Sequence, residues 1–430
     1  MKRYYIVDAK HVRSLVAGDH YDGHIYHQDP RHRLNASWIL EKTETAGVFH
    51  IRDLAHQKYI VAGDKYDGHV YHQDQQGRLN AKWRTVMVSS KNGIDTVQLL
   101  DLKHHKAIIA GDREDDNVYH QDPHNRLNAC WALIPENQWN MLNHYTGMFK
   151  DQHWLVAHNA WNTQIAANQC KSITELLNYG VRGFALDVYG DDEASLHLQH
   201  GHGNIASRTP WEKIRNELKT WLAAHKNEVV TLFFESYLTG PKLGKTPAHT
   251  ALQALDNSLK NIPCYVSGKA NQEYAITNKT LEALITENKR LFAFIEKEPD
   301  EGTQPIFPAM TSNFAENVYG DASLKLGTWV NMREGSAKTN PLTFMNHFGN
   351  APTGSEWERN RRDLLLHHAD AFYTTFGNRY PNFVSLDYIN WDKQDNAPIE
   401  AVRSLLWRTL AKSPPKAPGP VEVHREEASA

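Results

Sequence analysis

The chain has 430 residues, 40% of them hydrophobic and 23% charged, an ordinary composition for a folded protein of two or three domains at roughly 150 residues each. Its 47 Lys and Arg against 50 Asp and Glu leave a formal net charge of −3, so no basic field draws in nucleic acid or an anionic membrane by charge alone. Three cysteines (Cys130, Cys170, Cys264) form no CxxC pair and no disulfide framework. Apolar runs such as 229–234 are strand-sized, far below the roughly 18 residues that span a bilayer, and the chain is not expected to be an integral membrane protein. It opens Met1-Lys-Arg-Tyr-Tyr-Ile-Val-Asp8 without an apolar stretch, and no signal peptide is expected. The unusual entries are 25 His, 12 Trp and 18 Tyr, side chains that join an apolar face to a hydrogen-bonding tip.

The N-terminal third repeats three times. Gly18-Asp19, Gly63-Asp64 and Gly111-Asp112 correspond, at intervals of 45 and 48 residues. Tyr26-His-Gln-Asp29, Tyr71-His-Gln-Asp74 and Tyr119-His-Gln-Asp122 follow, then Arg33-Leu-Asn35, Arg78-Leu-Asn80 and Arg126-Leu-Asn128. The second unit reads as four strands, 48–54, 58–62, 69–73 and 83–88, punctuated by turn residues. Four strands in three units predict twelve. A propeller needs about four or more blades, so three copies close most naturally as a β-trefoil over residues 1–135.

Trp38, Trp83 and Trp131 are expected in the core of that trefoil. The repeated polar residues need not recur for packing and are candidates for carbohydrate binding: Asp19, Tyr26 and Asn35; Asp64, Tyr71 and Asn80; Asp112, Tyr119 and Asn128. Carboxylates and amides would hold sugar hydroxyls while an aromatic ring stacks on the sugar face. The third unit has Arg113-Glu-Asp-Asp116 where the others carry a tyrosine, so its site is expected to be altered. The repeats resemble ricin-type β-trefoil lectins, whose units end in Gln-x-Trp; here the ends are Asn35-Ala-Ser-Trp38, Asn80-Ala-Lys-Trp83 and Asn128-Ala-Cys-Trp131.

After Pro135 apolar runs of strand length alternate with amphipathic stretches. Strands are predicted at 155–157, 183–188, 229–234, 291–295, 342–346 and 383–386, and helices at 172–179, 211–225, near 280–288 and at 355–371. Such alternation over residues 136–412 favours a (β/α)₈-type, TIM-barrel-like α/β domain. There is no Walker loop, no G-x-S-x-G and no HExxH. In a barrel the chemistry sits at the C-terminal ends of strands, which here offer His158-Asn159, Asp187, Tyr189, His197, His200, Glu235, Glu296-Lys297, Asn346-His347 and Asp387. Lys297 and Tyr189 are candidates to touch substrate, and Asp387 to orient a catalytic histidine. The cluster His197, His200 and His202 lacks the helical i, i+4 pair of a zinc site. The Pro-rich tail 413–430 is expected to be disordered and to carry no catalysis.

Ordered motifs from about Asn140 to Asn390 resemble the X-domain of phosphatidylinositol-specific phospholipase C and the PLC-like phosphodiesterases. They include Ala157-His-Asn-Ala-Trp161, Gly180-Val-Arg-Gly-Phe-Ala-Leu-Asp-Val-Tyr189, His200-Gly201, Asn346-His-Phe348 and Arg379-Tyr-Pro-Asn-Phe-Val-Ser-Leu-Asp-Tyr388. The resemblance implies a distorted TIM barrel with His158 and His200 as general base and acid across a phosphodiester. It implies Asn159, Asp187 and Glu235 as ligands for Ca²⁺ or Mg²⁺, while Ala185 stands where the family has a further Glu. Metal-independent members have an Arg where this chain has Tyr189. The expectation is a phospholipid-headgroup phosphodiesterase, acting outside the producing cell and targeted by a glycan-binding trefoil. The alternatives are a sphingomyelinase D-like lipase and a carbohydrate-binding protein with an inactive barrel.

Overall fold

The structure is a computed structural model that describes residues 2–10, 13–18, 23–28, 34–63, 68–74, 77–91, 94–111, 117–123, 126–135, 147–163, 167–200, 208–238, 247–268, 276–296, 305–318, 331–349, 356–390 and 397–411. The chain divides into two compact units, with the division in sequence between Met141 and Leu142.

The first unit holds twelve described strands: β1 (Arg3–Asp8), β2 (Ser14–Ala17), β3 (Ile25–Gln28), β4 (Trp38–Lys42), β5 (Val48–Asp53), β6 (Tyr59–Ala62), β7 (Val70–Gln73), β8 (Trp83–Lys91), β9 (Ile94–Asp101), β10 (Ala107–Ala110), β11 (Val118–Gln121) and β12 (Trp131–Pro135). Antiparallel ladders join β1 to β4, β4 to β5, β5 to β8, β8 to β9, β9 to β12 and β12 back to β1, a closed ring of six strands. The hairpins β2–β3, β6–β7 and β10–β11 hang from β1, β5 and β9. Bridges Tyr26–Asn117, His24–Tyr71 and His69–Tyr119 tie the hairpins to one another. A six-stranded barrel with three linked hairpins is the β-trefoil topology.

The repeated residues explain the closure. Trp38, Trp83 and Trp131 are fully buried, and each indole N–H donates to a carbonyl of its own hairpin (Leu15, Ile60 and Ile108), every one at 2.8 Å. Each ring thereby fills the core and satisfies its one polar atom.

The second unit contains seven parallel strands among its described residues: β13 (Trp154–Ala157), β14 (Gly183–Gly190), β17 (Val230–Leu238), β18 (Leu291–Ile295), β19 (Phe314–Glu316), β20 (Leu342–Asn346) and β21 (Phe383–Leu386). Their ladders run in the order β18-β17-β14-β13-β21-β20-β19. The short strands β15 (His197–Leu198) and β16 (Thr209–Pro210) add an antiparallel edge beside β14.

Alternation along these strands sorts the side chains. Leu155, Phe184, Leu186, Leu232, Ala293 and Val384 join the helices in one large cluster. Trp154, Val156, Phe233, Phe292, Phe294, Phe314, Phe344 and Phe383 form a second, mostly aromatic cluster on the other face. Phe294 of β18 and Phe314 of β19, at opposite ends of the ladder order, have ring centroids 4.9 Å apart, so the sheet curls round its aromatic filling.

The helix Ile173–Tyr179 starts in a capping box between Ser172 and Glu175 and stops at Gly180, whose φ of 119° is left-handed. The helix expected at 355–371 begins instead at Arg362, after a 3₁₀ turn over Glu356–Asn360. That turn is pinned to the ends of β20 and β21: the Asn360 amide donates to the carbonyl of Asp387, and His347 Nε2 lies 2.9 Å from the carbonyl of Arg359.

Candidate active site

One cavity of about 260 Å³ opens over the aromatic filling. Strand alternation builds its lining, because the residue two beyond each inward aromatic or small side chain faces the same way. His158 follows Val156, Asp187 follows Ala185, Glu235 follows Phe233, Glu296 follows Phe294, Glu316 follows Phe314 and Asn346 follows Phe344; all six line the cavity. The strands therefore end in a polar layer on an apolar plug. Gly183, Ala185 and Asp187 are the inward positions of β14. A Cβ on Gly183 would lie 2.5 Å from Val156 Cγ2, so the apolar plug takes no side chain there.

His158 Nδ1 is 2.8 Å from Asp387 Oδ1, an atom that also accepts from Asn168 Nδ2 at 3.0 Å. Asp387 is 2% exposed. With the carboxylate ionised the proton resides on Nδ1, and Nε2 is left as the exchangeable atom. The imidazole lies flat on Phe348, centroids 3.7 Å apart and 9° between planes, which fixes the ring's tilt. Tyr388, next to Asp387, has φ 53°, and Asn159 has φ 44°. Left-handed backbone at a tyrosine costs energy and marks a segment held by its surroundings.

Asn159 turns its amide nitrogen to His200 Nδ1 at 2.8 Å, and Asp187 Oδ2 lies 3.6 Å from the same ring nitrogen. The Asp187 carboxylate holds the His200 pKa above its ordinary value, in part against the cost of burial. An amide nitrogen opposite Nδ1 suits the neutral ring, whereas the amide rotated by 180° would accept from the charged one, so the two protonation states match two orientations of Asn159.

Asp187 and Glu235 are register partners on neighbouring parallel strands. Burial, and then the negative charge of Asp187, raise the Glu235 carboxyl above the ordinary carboxylate range, and the Tyr237 hydroxyl donates to it. The Asn159 amide oxygen is buried and has no hydrogen-bond partner. Two carboxylates that repel and an orphaned amide oxygen form a hard-oxygen set, and they fit a divalent cation of the Ca²⁺ or Mg²⁺ type. Ala185, the inward residue before Asp187 on β14, supplies no ligand.

The cavity also holds residues that sequence reasoning passed over. Arg333 donates to Glu316 at 2.9 Å and to Glu296. Burial raises the Glu316 carboxyl, against the pull of the Arg333 charge. Arg333 follows no strand and carries no motif; only the fold brings it here. Tyr189 is 8% exposed and lies beside the cavity, stacked on Tyr237 at 4.7 Å, its hydroxyl pushed up to about 12 by burial and by Asp187 and Glu235. Lys297 and His202 lie outside the described residues, as do Asp19, Asp64, Asp112 and the tail from 412.

In the trefoil the repeated asparagines have a structural position. Asn35, Asn80 and Asn128 are 5%, 1% and 2% exposed, and their amides donate to the carbonyls of Ala17, Ala62 and Ala110 at 2.5–2.7 Å. Turned inward on the hairpins, they have no face toward a sugar, which corrects the expectation for these three. Tyr26, Tyr71 and Tyr119 are half-buried where the hairpins meet.

Residues 153–399, more than half the chain, match the family described as PI-PLC X 1. The chain belongs to the PI-PLC X domain family. It is 27% identical over 261 residues to a PI-PLC X domain-containing protein of Arabidopsis thaliana, covering 56% of this chain and 58% of that one. It is 28% identical over 169 residues to PI-PLC X domain-containing protein 1 of Arthroderma benhamiae, covering 39% and 52%. The chain thus matches between half and three-fifths of the length of these relatives. Among solved structures, a designed threefold symmetric protein, ThreeFoil, is similar at 20% identity and TM-score 0.28, over 31% of this chain and 97% of that one. A BEL β-trefoil is similar at 7% identity and TM-score 0.28, over 31% and 92%.

Proposed function

We propose that this chain is a phosphodiesterase of the phospholipase C type, cleaving a phospholipid headgroup by proton transfer between two histidines. The observation that carries the reading is that His158 and His200 line one cavity, each with its own carboxylate partner, Asp387 and Asp187. The buried carboxylate of Asp387 holds the His158 proton on Nδ1 and leaves Nε2 to accept one from the attacking hydroxyl. His200, kept protonated to higher pH by Asp187, is suited to give a proton to the leaving alcohol. Each transfer supplies about 10²–10⁴ in rate. Asp187 and Glu235, joined by the Asn159 amide oxygen whenever it is not turned to His200, would hold a Ca²⁺ or Mg²⁺ ion, which when bound would neutralise charge on the phosphodiester oxygens. The curl that brings Phe294 to Phe314 supports a closed (β/α) barrel as the frame of the site.

The trefoil is proposed to hold the enzyme at a glycosylated surface outside the producing cell, raising its effective concentration there. The half-buried Tyr26, Tyr71 and Tyr119 remain its candidate sugar contacts. Ala185 favours one second reading, a carbohydrate-binding protein whose barrel is inactive, because a cation there would lack a carboxylate.

Mixed phospholipid vesicles followed by ³¹P NMR decide between them. Release of a phosphate ester or of diglyceride in Ca²⁺ or Mg²⁺, lost in chelator and in His158→Ala and His200→Ala, supports the enzyme. Ceramide phosphate would point to the sphingomyelinase D-like alternative. No product under any condition sinks both enzyme readings, and a blank glycan array would remove the targeting role.

A further inference from the structure

Each trefoil unit buries a histidine against an aspartate at a constant spacing of 19 residues. His27 Nε2 is 2.5 Å from Asp8 Oδ2, His72 Nε2 is 2.6 Å from Asp53 Oδ2, and His120 Nε2 is 2.7 Å from Asp101 Oδ2, with all six side chains at most 1% exposed. A second histidine joins the pair three residues after the aspartate. His56 Nδ1 lies 3.3 Å from Asp53 Oδ1, and His104 Nδ1 lies 3.2 Å from Asp101 Oδ1. In both units the three ligand atoms lie within 4.8 Å of one another. His11 has the same place in the sequence of the first unit and lies outside the described residues.

A buried His–Asp pair by itself is a sufficient structural hydrogen bond. The third member is different. It is the partly exposed one, 20% for His56 and 15% for His104, and its ring meets the buried imidazole edge-on at 5.3 and 5.5 Å. Two imidazoles thus converge on one carboxylate, a set of two borderline nitrogen ligands and one oxygen.

We infer that the Asp53–His56–His72 and Asp101–His104–His120 clusters are binding sites for a first-row divalent ion of the Zn²⁺ type. Two histidines and a carboxylate, with water in the fourth position, is a common tetrahedral donor set for that ion. At ligand distances of about 2.0–2.1 Å, tetrahedral donors stand about 3.3 Å apart, the spacing His56 and His104 already keep from the carboxylate. From 2.6 and 2.7 Å, His72 and His120 would open by about 0.6–0.7 Å to that spacing as the ion replaces the proton.

The surroundings are those of a metal centre. Asp53 accepts from the backbone N–H of His56 at 2.7 Å and of Lys58 at 2.9 Å, and Asp101 from those of Lys103, His104 and Lys106 at 3.0, 2.6 and 3.0 Å. A carboxylate has lone pairs enough for these and for an ion, and such bonds fix its orientation. Trp38 stands edge-on to His72 and Trp83 to His120, an apolar wall that excludes competing water. The barrel's set is chemically distinct, since Asn159, Asp187 and Glu235 offer oxygen alone.

The full chain is stripped with chelator, dialysed against Zn²⁺ and counted for bound metal, beside His56→Ala, His104→Ala and the double variant. Each single variant should retain one equivalent fewer than the parent and the double variant two fewer. Co²⁺ in place of zinc should give the intense visible bands of a low-coordinate nitrogen site, weakened stepwise in the same order. The substitutions remove the partly exposed member and leave the buried pair, and near-ultraviolet circular dichroism of the core tryptophans checks folding. His56→Gln and His104→Gln serve if either alanine variant misfolds. Equal stoichiometry in parent and folded variants overturns the inference, as does a parent chain that shows no nitrogen-site cobalt spectrum.

Discussion

His158 and Asp387 are 229 residues apart in the chain and 2.8 Å apart at the mouth of the cavity. The contact follows from topology. β13 and β21 are parallel neighbours in register from Trp154–Phe383 to Ala157–Leu386, so the residues just past their ends, His158 and Asp387, emerge side by side. Neither side chain has this partner unless the first strand of the second unit pairs with the last.

Replacing Asp387 by Asn keeps the shape of the group and reverses one hydrogen bond. The amide can donate to Nδ1, which favours the tautomer with the proton on Nε2 and removes the lone pair from the reacting side. Under the proposed mechanism Asp387→Asn should lower kcat/KM by about 10²–10⁴, the range that general acid–base catalysis supplies. KM and the thermal midpoint should move little. Parent-like turnover by a folded Asp387→Asn protein would remove the orienting role.

The crowding at Gly183 gives a prediction about the second unit alone. An added Cβ meets Val156 Cγ2 at 2.5 Å and Phe233 Cε2 at 3.3 Å, inside the aromatic filling. Gly183→Ala should cost about 1–3 kcal/mol, the usual scale for overpacking. Val156→Ala in the same chain removes the nearest atom and should recover part of that loss in urea titrations. A double variant no more stable than Gly183→Ala would show that this contact is not the cause.

The strands of the second unit were readable because buried parallel strands are continuous apolar runs, and 291–295, 342–346 and 383–386 coincide with β18, β20 and β21. Asp187, Glu235 and Glu296 were readable for the same reason, since each stands where an apolar run ends, whereas Glu316 closes β19, a three-residue strand too short to read as a run. Arg333 and the stacking role of Phe348 were not, because both approach from loops with no period to read. The trefoil asparagines went astray for another reason: a repeated Asn reads equally well as a hairpin tie or as a sugar contact, and only burial separates the two. The 19-residue spacing from Asp8, Asp53 and Asp101 to a histidine was present throughout, divided between the barrel strands and the hairpins.

Asn80 tests the corrected role. Its amide donates to the Ala62 carbonyl in a site 1% exposed, so Asn80→Ala leaves a buried acceptor unpaired. The expected cost is about 1–3 kcal/mol of trefoil stability, read from tryptophan fluorescence on unfolding. If some glycan is found to bind, its affinity at native temperature should be unchanged in the folded variant. A stable variant with weakened sugar binding would restore the ligand role.

His347 and His368 give the second unit a pH dependence whose sign is fixed. Their Nδ1 atoms are 2.7 Å apart, and His347 Nε2 faces the Arg359 carbonyl at 2.9 Å, so His347 donates through Nε2 and accepts at Nδ1 from His368. Both rings are neutral. Burial lowers the His347 pKa to about 4, with the Arg359 charge adding to the shift, and burial, then His347 and His367, take His368 well below its ordinary value. Unfolding returns both to about 6.5. Between those values the unfolded chain binds protons that the folded chain cannot, so stability falls as pH drops from about 6.5 toward 4, at up to about 1.4 kcal/mol per pH unit for each histidine. Denaturation midpoints measured across that range should show a shallower slope in His347→Gln/His368→Gln than in the parent. Equal slopes would mean that the two imidazoles take up protons in the folded state, and the neutral pair described here would then be wrong.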